Sequence, residues 1–342
     1  MASASAPSTS TGLGPLVRLW GLSSHQLPPA TASGDALVPF LTAVLQEVVP
    51  FIDSAAPKSP PPSAKDSKKD RLWKPKGTKS HPDSAAPVDV SERRISAAEL
   101  RQILDGSGGR EKNTPVPSGG GEMWCCRRSV HADAAEPGSA SWAEFDRCFR
   151  LDHAACEKAF TPSVRATHEA ARWDCGGVRI AAPEPGGSTT ATWGDFRLVL
   201  EEMRHRVGTG LQDRTFPVLQ VSCVAAGPGA QPEFLFVSIP VPDFGGDDAD
   251  KRSTLAAEPG ALVAVYASVE RVRKMPRDGG GGDGDIEWLM ATASDARGVL
   301  PAWLQNLAMP AVIWKDVPLF LGWIAKERRR ERERERLAEA KV

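Results

Sequence analysis

Histidine and acidic side chains at helical spacing come nearest to a catalytic or metal-binding pattern in this chain. His153 and Glu157 are four residues apart in a predicted helix, so both side chains lie on one face of it. Zinc sites use three or four protein ligands, and no third ligand accompanies this pair, since Cys156 points off that face. His205, at a predicted strand end beside a glycine loop, is a candidate general base or gate residue. We predict no metal site, no catalytic residue and a capped, partly exposed helix around His153.

The short motifs that bind nucleotides or activate a serine are missing from the sequence. There is no Gly-x-Ser-x-Gly, no Walker-type loop and no dinucleotide fingerprint. The run GGGGDGD at 279–285 has no Lys-Ser/Thr after it, so it is interpreted as a hairpin loop and not as a phosphate cradle. We therefore predict no cofactor.

Arginines on predicted strands are the candidates for holding a polar ligand group. Arg127 and Arg128 are neighbours on one strand and point to opposite faces, so at most one of them faces inward. A cavity-facing arginine needs a carboxylate or a ligand headgroup, because an unpaired buried charge is costly. Structural ion pairs are the favoured interpretation, and Arg127 and Arg214 are kept as candidate ligand-binding residues.

Aromatic residues are abundant towards the C-terminus. The chain has ten Trp and eleven Phe but one Tyr. Four of the tryptophans, Trp288, Trp303, Trp314 and Trp323, fall in the last predicted strand and helix. Most aromatics pack in a core, but those on a helix that covers a cavity would line it. The predicted lining residues are Phe216, Phe236, Tyr266, Trp288, Met290, Trp303 and Leu307. A slip of one residue in a strand would turn its members outward.

The elements that must position these residues follow a strand, helix, strands, helix order. A helix is predicted at 35–52, a disordered Pro/Ser/Lys-rich linker at 53–92, and a short helix at 96–104 whose Ser96 and Glu99 have capping-box spacing. A strand begins near Met123, and Ser141 opens a helix that ends before Pro162. Further strands are predicted at 164–173, 196–205, 214–224, 233–241, 262–273 and 286–294. The last helix covers 300–336, with kinks at Pro310 and Pro318. This order predicts an α+β fold in which a curved antiparallel sheet grips a long C-terminal helix.

Bulk properties set the broad class. The formal net charge is −1, so nucleic acid is not predicted as a partner. The six cysteines are scattered, which favours free thiols and a cytoplasmic protein. The sequence contains no uninterrupted run of about 18 apolar residues, so no membrane span is predicted. We divide the chain into a disordered tail (1–34), a docking helix (35–52), the linker (53–92), one ligand-binding domain (93–325) and a charged helical tail (326–342).

Four segments carry a family resemblance: WCCRRSVH at 124–131, SWAEFDRCFRLDHAACE at 141–157, LQDRTFPVLQV at 211–221 and MATASDARGVLPAWLQNLAMP at 290–310. With these segments the chain resembles START domains, and most closely a START-like domain-of-unknown-function family common in fungi. The resemblance covers roughly 120 to 325. It implies a helix-grip fold and a hydrophobic ligand under the closing helix. The loop at 205–213 and the Cys125-Cys126 pair depart from the family pattern.

These observations predict a non-enzymatic protein that binds a lipid or other hydrophobic small molecule, with a transient membrane contact as a further expectation. The predicted gate consists of Gly208 and Gly210 in a permissive loop and of Gly298 and Pro301 at the base of the last helix. Two alternatives remain open. One is a cyclase- or aromatase-like enzyme that uses His205 or a buried Glu, and the other is an interaction scaffold with a filled core.

Overall fold

One curved antiparallel sheet organises the chain. The structure is a computed structural model that describes residues 14–58, 72–106, 121–183, 190–208, 210–246, 252–276, 284–297 and 308–340. The strands are β1 (Lys74–His81), β2 (Ser84–Ser96), β3 (Gly121–His131), β4 (Val164–Trp173), β5 (Ile180–Pro183), β6 (Thr190–His205), β7 (Arg214–Ala225), β8 (Glu233–Pro240), β9 (Leu262–Val263), β10 (Val265–Lys274) and β11 (Ile286–Asp295). Their order is β1-β2-β3-β11-β10-β8-β7-β6-β4, with β5 on β6 and the short β9 parallel to β7.

The helices lie on both sides of this sheet. They are α1 (Gly34–Asp53), α2 (Ala97–Gly106), α3 (Trp142–Asp146), α4 (His153–Phe160) and α5 (Asp316–Glu339). A π-helical segment, Arg147–Leu151, joins α3 to α4, and a 3-10 turn, Ile313–Lys315, precedes α5. The predicted α+β class, with an antiparallel sheet and a long C-terminal helix, is confirmed.

Strand alternation divides the core into two layers. On β11, Leu289, Ala291 and Ala293 belong to the larger apolar cluster, which also contains the buried face of α1. Trp288 points to the other side and packs with Phe145 of α3 and Phe320 of α5. Successive strand residues point to opposite faces, so one strand supplies both layers. The second side is where the candidate site lies.

The N-terminal segment is part of the folded body. Residues 1–34 were predicted to be a disordered tail, which is wrong for 14–34. Leu19 and Trp20 are buried there, the Leu19 amide donates to the Glu122 carboxylate (2.8 Å), and the Leu22 amide donates to the Pro240 carbonyl (2.9 Å). These partners are remote in sequence, and the segment has no hydrophobic periodicity from which its burial could be predicted.

The predicted linker is also partly wrong. Residues 74–92 form β1 and most of β2, which pair as an antiparallel hairpin at one sheet edge. Every residue of β1 is exposed, so its sequence lacks the apolar alternation by which a strand is recognised. Residues 59–71 lie outside the described ranges.

The two helices predicted around 141–160 and 300–336 differ in detail from the structure. The first is interrupted by the π segment. In the second, Pro318 lies in the first turn of α5, where its missing N–H leaves no hydrogen bond unmade, so it does not break the helix. The irregularity falls instead at the 3-10 turn Ile313–Lys315.

Two helical stretches, Gly34–Asp53 and Ala308–Glu339, have the length and apolar composition of a membrane span. In α1, the apolar residues Leu37, Leu41 and Val44 are fully buried against the sheet. That burial is typical of a core helix.

Candidate ligand-binding cavity

A cavity of about 240 Å³ lies between the second face of the sheet and the helices that cover it. Strands β3, β7, β8, β10 and β11 form its floor, and the α3–π–α4 segment and the start of α5 form its roof. The lining residues are Arg127, Cys148, Phe149, His153, Glu157, Phe160, Thr161, His205, Phe216, Phe236, Ser238, Tyr266, Ser268, Glu270, Met290, Thr292, Ser294 and Asp316.

Aromatic rings form most of the apolar wall. Phe149 and Phe160 come from the roof, with ring centroids 6.0 Å apart. Phe216 and Tyr266 come from neighbouring parts of the sheet and meet edge to face at 5.5 Å. The wall can therefore cover an apolar ligand from both sides.

Arg127 is the centre of a charged cluster at one end of the cavity. Its side chain is 1% exposed, and its guanidinium lies 3.9 Å over the Trp288 ring. Nη2 donates to Glu270 Oε1 (3.3 Å), and Nε is 3.7 Å from Asp316 Oδ2. Within the described part of the chain, Nε and Nη1 make no hydrogen bond. A buried guanidinium with unused donors is costly unless another group accepts from it.

Glu270 and Asp316 are the two carboxyls beside Arg127. Glu270 also accepts a 2.5 Å hydrogen bond from Trp288 Nε1, so it is held by two donors. Burial raises the pKa of both carboxyls, and the positive charge of Arg127 offsets part of that rise. Asp316 is in the first turn of α5, where a negative charge is favoured by the helix dipole.

Glu157 and His153 belong to the short helix α4 in the roof. The Glu157 Oε2 to His153 Nδ1 distance is 3.6 Å, and Nδ1 makes no hydrogen bond to any described residue. Burial, with the charges of Asp316 and Glu270, raises the pKa of Glu157 to about 8. Burial lowers the pKa of His153 to about 3. Both groups are therefore neutral at pH 7, and they do not form an ion pair.

Both carboxyls border the cavity and keep part of their side chains accessible, 23% for Glu157 and 35% for Asp316. Burial of the rest of each side chain raises the pKa of both, and solvent that reaches the accessible part screens their charge.

His153 also separates the cavity from an outer groove. Its ring stacks on Phe236 with centroids 3.9 Å apart and planes 8° from parallel. Both residues border the groove of about 300 Å³ that contains Arg150, Arg172 and Glu201. The stacked pair is therefore a thin wall between the cavity and the surface.

His205, the sequence-predicted base, borders the cavity near Phe216, whose ring it meets edge to face at 5.3 Å. Burial lowers the pKa of His205 to about 4, so the imidazole is neutral at pH 7. Its Nε2 is buried without a hydrogen-bond partner among the described residues.

Most of the sequence-predicted lining residues come together. Arg127, Phe216, Phe236, Tyr266 and Met290 border the cavity. Trp288 lies beneath Arg127 and packs into the roof, 4.5 Å from Phe149. Trp303 and Leu307 lie outside the described residues.

Arg214 and the predicted gate are placed differently. Arg214 Nε donates to the Ala296 carbonyl (2.7 Å) and Nη1 to the Gln212 carbonyl, so this arginine ties two loops together and is not among the lining residues. Gly208 and Gly210 flank the turn between β6 and β7, and the left-handed φ of 78° at Gly210 suits glycine. Gly298 and Pro301 lie outside the described ranges, so the gate as a whole stays a prediction.

The sequence interpretation missed the carboxyls of the cavity. Glu157 was assigned to the partly exposed helix around His153, and Glu270 and Asp316 were not among the predicted lining residues. A signal was present, because Phe149 and Phe160 mark the inward side of the roof helices and Tyr266 and Glu270 share one strand face. Among the described residues, no group of three or more His, Cys, Asp or Glu could hold a metal ion.

These features define an α+β protein whose helices enclose a cavity against an antiparallel sheet. The sequence model of the family described as protein of unknown function (DUF3074) matches residues 124–324, so the chain belongs to this family. No curated protein matches the chain.

Solved structures similar to this chain include human STARD10, with 13% identity, 82% of this chain and 87% of that chain covered, and a TM-score of 0.39. Another is the human StarD13 (DLC2) lipid transfer and protein localization domain, with 11% identity, 74% and 88% covered, and a TM-score of 0.38.

Proposed function

We propose that this protein binds a small hydrophobic molecule with a polar group inside the cavity. The observation that carries the proposal is Arg127, which is 1% exposed and borders the cavity with two nitrogens that make no hydrogen bond among the described residues. Binding pockets typically combine an apolar wall with a few placed polar groups, and Phe149, Phe216 and Tyr266 supply such a wall. Side chains of the described residues do not fill this space, which favours a binding protein over a scaffold with a solid core.

The size of the cavity limits the ligand. About 240 Å³ exceeds the roughly 150 Å³ that accepts benzene in an engineered protein but lies below the roughly 300–1,000 Å³ of drug-sized pockets. One short chain or one ring system therefore fits better than a phospholipid with two acyl chains. Binding would remove apolar surface from water at about 25 cal/mol per Å².

Calorimetric titration with 1-octanol tests the proposal. We expect saturable binding by the wild type and loss of binding in Ser268→Leu, because Ser268 borders the cavity and the larger side chain fills it. Thr190→Leu, at an exposed position of β6, is the matched control and should bind like the wild type. Equal heats from the three proteins would overturn the proposal. Native mass spectrometry of protein from its own host then gives the mass of the natural ligand.

An enzymatic role is the second candidate, and Glu157 is the reason. A carboxyl that is protonated at pH 7 can act as a general acid, and His205 and Tyr266 border the same cavity. Incubation with the extracted ligand separates the two functions. A carrier returns the ligand with its mass unchanged, whereas an enzyme converts it and loses that conversion in Glu157→Gln.

Membrane contact and a cytoplasmic location belong to the same proposal. Val312 is 49% exposed just before the turn that leads into α5, and Lys315 beside it is exposed. An apolar side chain next to a cation suits a brief contact with an anionic bilayer. We expect Val312→Asp to weaken sedimentation with phosphatidylserine vesicles, and unchanged sedimentation would argue against this contact.

A further inference from the structure

The described lining of the cavity has more carboxyl groups than basic groups. Glu157, Glu270 and Asp316 are its carboxyls, whereas Arg127 is the guanidinium among the described lining residues. Arg127 is 3.3 Å from Glu270 and 3.7 Å from Asp316. One positive charge thus serves two carboxyls at its own end of the cavity.

Among the described residues, Glu157 has no such partner. The neighbour that the structure gives its carboxyl is His153 Nδ1 at 3.6 Å, which is too far for a hydrogen bond. The imidazole is neutral at pH 7, so it supplies no positive charge either. An ionised carboxylate in this place would be costly without a cation beside it.

The aromatic wall and Arg127 point independently to a polar ligand group. Phe149, Phe216, Phe236 and Tyr266 border the cavity, and aromatic rings attract cations. Arg127 keeps two unused donors at 1% exposure, so an oxygen or other acceptor of a ligand is also expected at its end.

We propose that the cavity selects a hydrophobic amine, whose ammonium group is held by the carboxylate of Glu157. The inference rests on the proposed function and adds the chemical class of the ligand. A neutral amine that enters takes the proton of the Glu157 carboxyl on its nitrogen. The O–H bond breaks, an N–H bond forms, and a carboxylate–ammonium pair results with no change in total charge.

Titration with three eight-carbon probes at pH 7 tests the inference. We expect octylamine to bind the wild type at least about tenfold more tightly than 1-octanol, a difference of about 1.4 kcal/mol, and octanoate to bind more weakly than either. Glu157→Gln should remove the preference for the amine, so that octylamine and 1-octanol bind this variant with equal affinity. Glu333→Gln, on the exposed end of α5, should behave like the wild type.

The outcomes separate the two proposals. Equal affinity for octylamine and 1-octanol, or an amine preference that survives Glu157→Gln, overturns the amine inference and leaves the binding function standing. Tightest binding of octanoate also overturns it and assigns recognition to Arg127. Absence of binding by all three probes defeats both proposals. Thermal melts of each variant show that it is folded, and Asp316→Asn, which should lower amine affinity less than Glu157→Gln, provides a second test.

Discussion

Glu157 has surroundings unlike those of an ordinary surface glutamate. Among the described residues it has no counter-ion, it borders a cavity of about 240 Å³, and its pKa is raised from 4.5 to about 8. Desolvation is the largest cause, and the like charges of Asp316 and Glu270 add to it. Such a carboxyl serves ligand binding or chemistry better than it serves stability.

The pH dependence of stability follows from this shift. Below pH 4.5 the carboxyl is protonated in both the folded and unfolded states and has no effect. Between about pH 4.5 and 8 only the unfolded state ionises, so the free energy of unfolding falls as pH rises, by at most about 1.4 kcal/mol per pH unit. We expect Glu157→Gln to become progressively more stable than the wild type across this window, with the difference constant above it.

Denaturant unfolding of both proteins at pH 5, 6, 7, 8 and 9 measures that difference. Glu201, whose pKa is raised to about 7, is present in both proteins, so its contribution largely cancels in the comparison. Partial exposure of the Glu157 side chain will reduce the effect below the limiting slope. A difference that does not change with pH would show that Glu157 ionises normally in the folded state.

Among the elements, α5 is attached to the roof by one arginine as well as by the apolar packing of Phe320. Arg328 donates twice to the Glu144 carboxylate, both at 2.6 Å, and also to the carbonyls of Glu136 (2.8 Å) and Ser139 (3.0 Å). Glu144 itself completes the capping box of α3 with Ser141. One ion pair therefore joins the C-terminal helix to the start of the roof helices.

We expect Arg328→Leu to lower the free energy of unfolding by about 2–4 kcal/mol, because it leaves the Glu144 carboxylate and two carbonyls with fewer donors. Arg334→Leu, exposed further along the same helix, should cost less than about 0.5 kcal/mol. Urea unfolding measures both values. Equal effects of the two substitutions would mean that the Arg328–Glu144 ion pair does not stabilise the contact between α5 and α3.

Elements whose signal is local could be predicted from the sequence, and the others could not. The capping boxes at Ser96 and Ser141 are fixed by residues three apart, and both form. Strands β7, β8 and β11 are largely buried and apolar, and their predicted lining residues Phe216, Phe236 and Met290 border the cavity. The exposed strand β1 has no such apolar signal, so it was taken for linker.

The roof shows why the site was harder to predict than the strands. A π-helical segment closes its hydrogen bonds over a longer loop than an α-helix, so it shifts the phase of the residues that follow. A continuous α-helix drawn through 141–160 therefore gives the wrong surroundings for His153 and Glu157. Their pKa values then depend on Asp316 and Glu270, which are remote in sequence.

At the scale of the whole molecule, the N-terminal segment packs into the larger apolar cluster, which also contains the buried face of α1. Trp20 is 8% exposed and its Nε1 donates to the Pro15 carbonyl (2.8 Å). We expect Trp20→Ala to destabilise the protein by about 3–5 kcal/mol, as for other buried tryptophans. Leu72→Ala, at a position 44% exposed, is the control and should change little. Thermal unfolding measures both effects on stability. A small effect of Trp20→Ala would show that the N-terminal segment does not stabilise the fold.

The cysteines make a second prediction for the whole chain. All six are free and buried, and burial raises the pKa of Cys125 and Cys126 to about 12. We expect six thiols to react with Ellman's reagent in guanidinium chloride without reductant, and far slower reaction in the native protein. Fewer than six reactive thiols in the unfolded protein would contradict the cytoplasmic assignment.

The docking of α1 has a consequence for the order in which the chain is made. This helix contacts β5, β10 and β11, and the last of these ends at Asp295. At about 5–20 residues per second, roughly 12 to 50 s pass between synthesis of the helix and synthesis of its final partner. During that interval the sheet that covers Leu37, Leu41 and Val44 is incomplete, so we expect the nascent chain to engage a holdase chaperone through α1. Ribosome-bound chains halted before and after residue 295 should then differ in protease cleavage within this helix, and identical cleavage would show that α1 is protected earlier by other means.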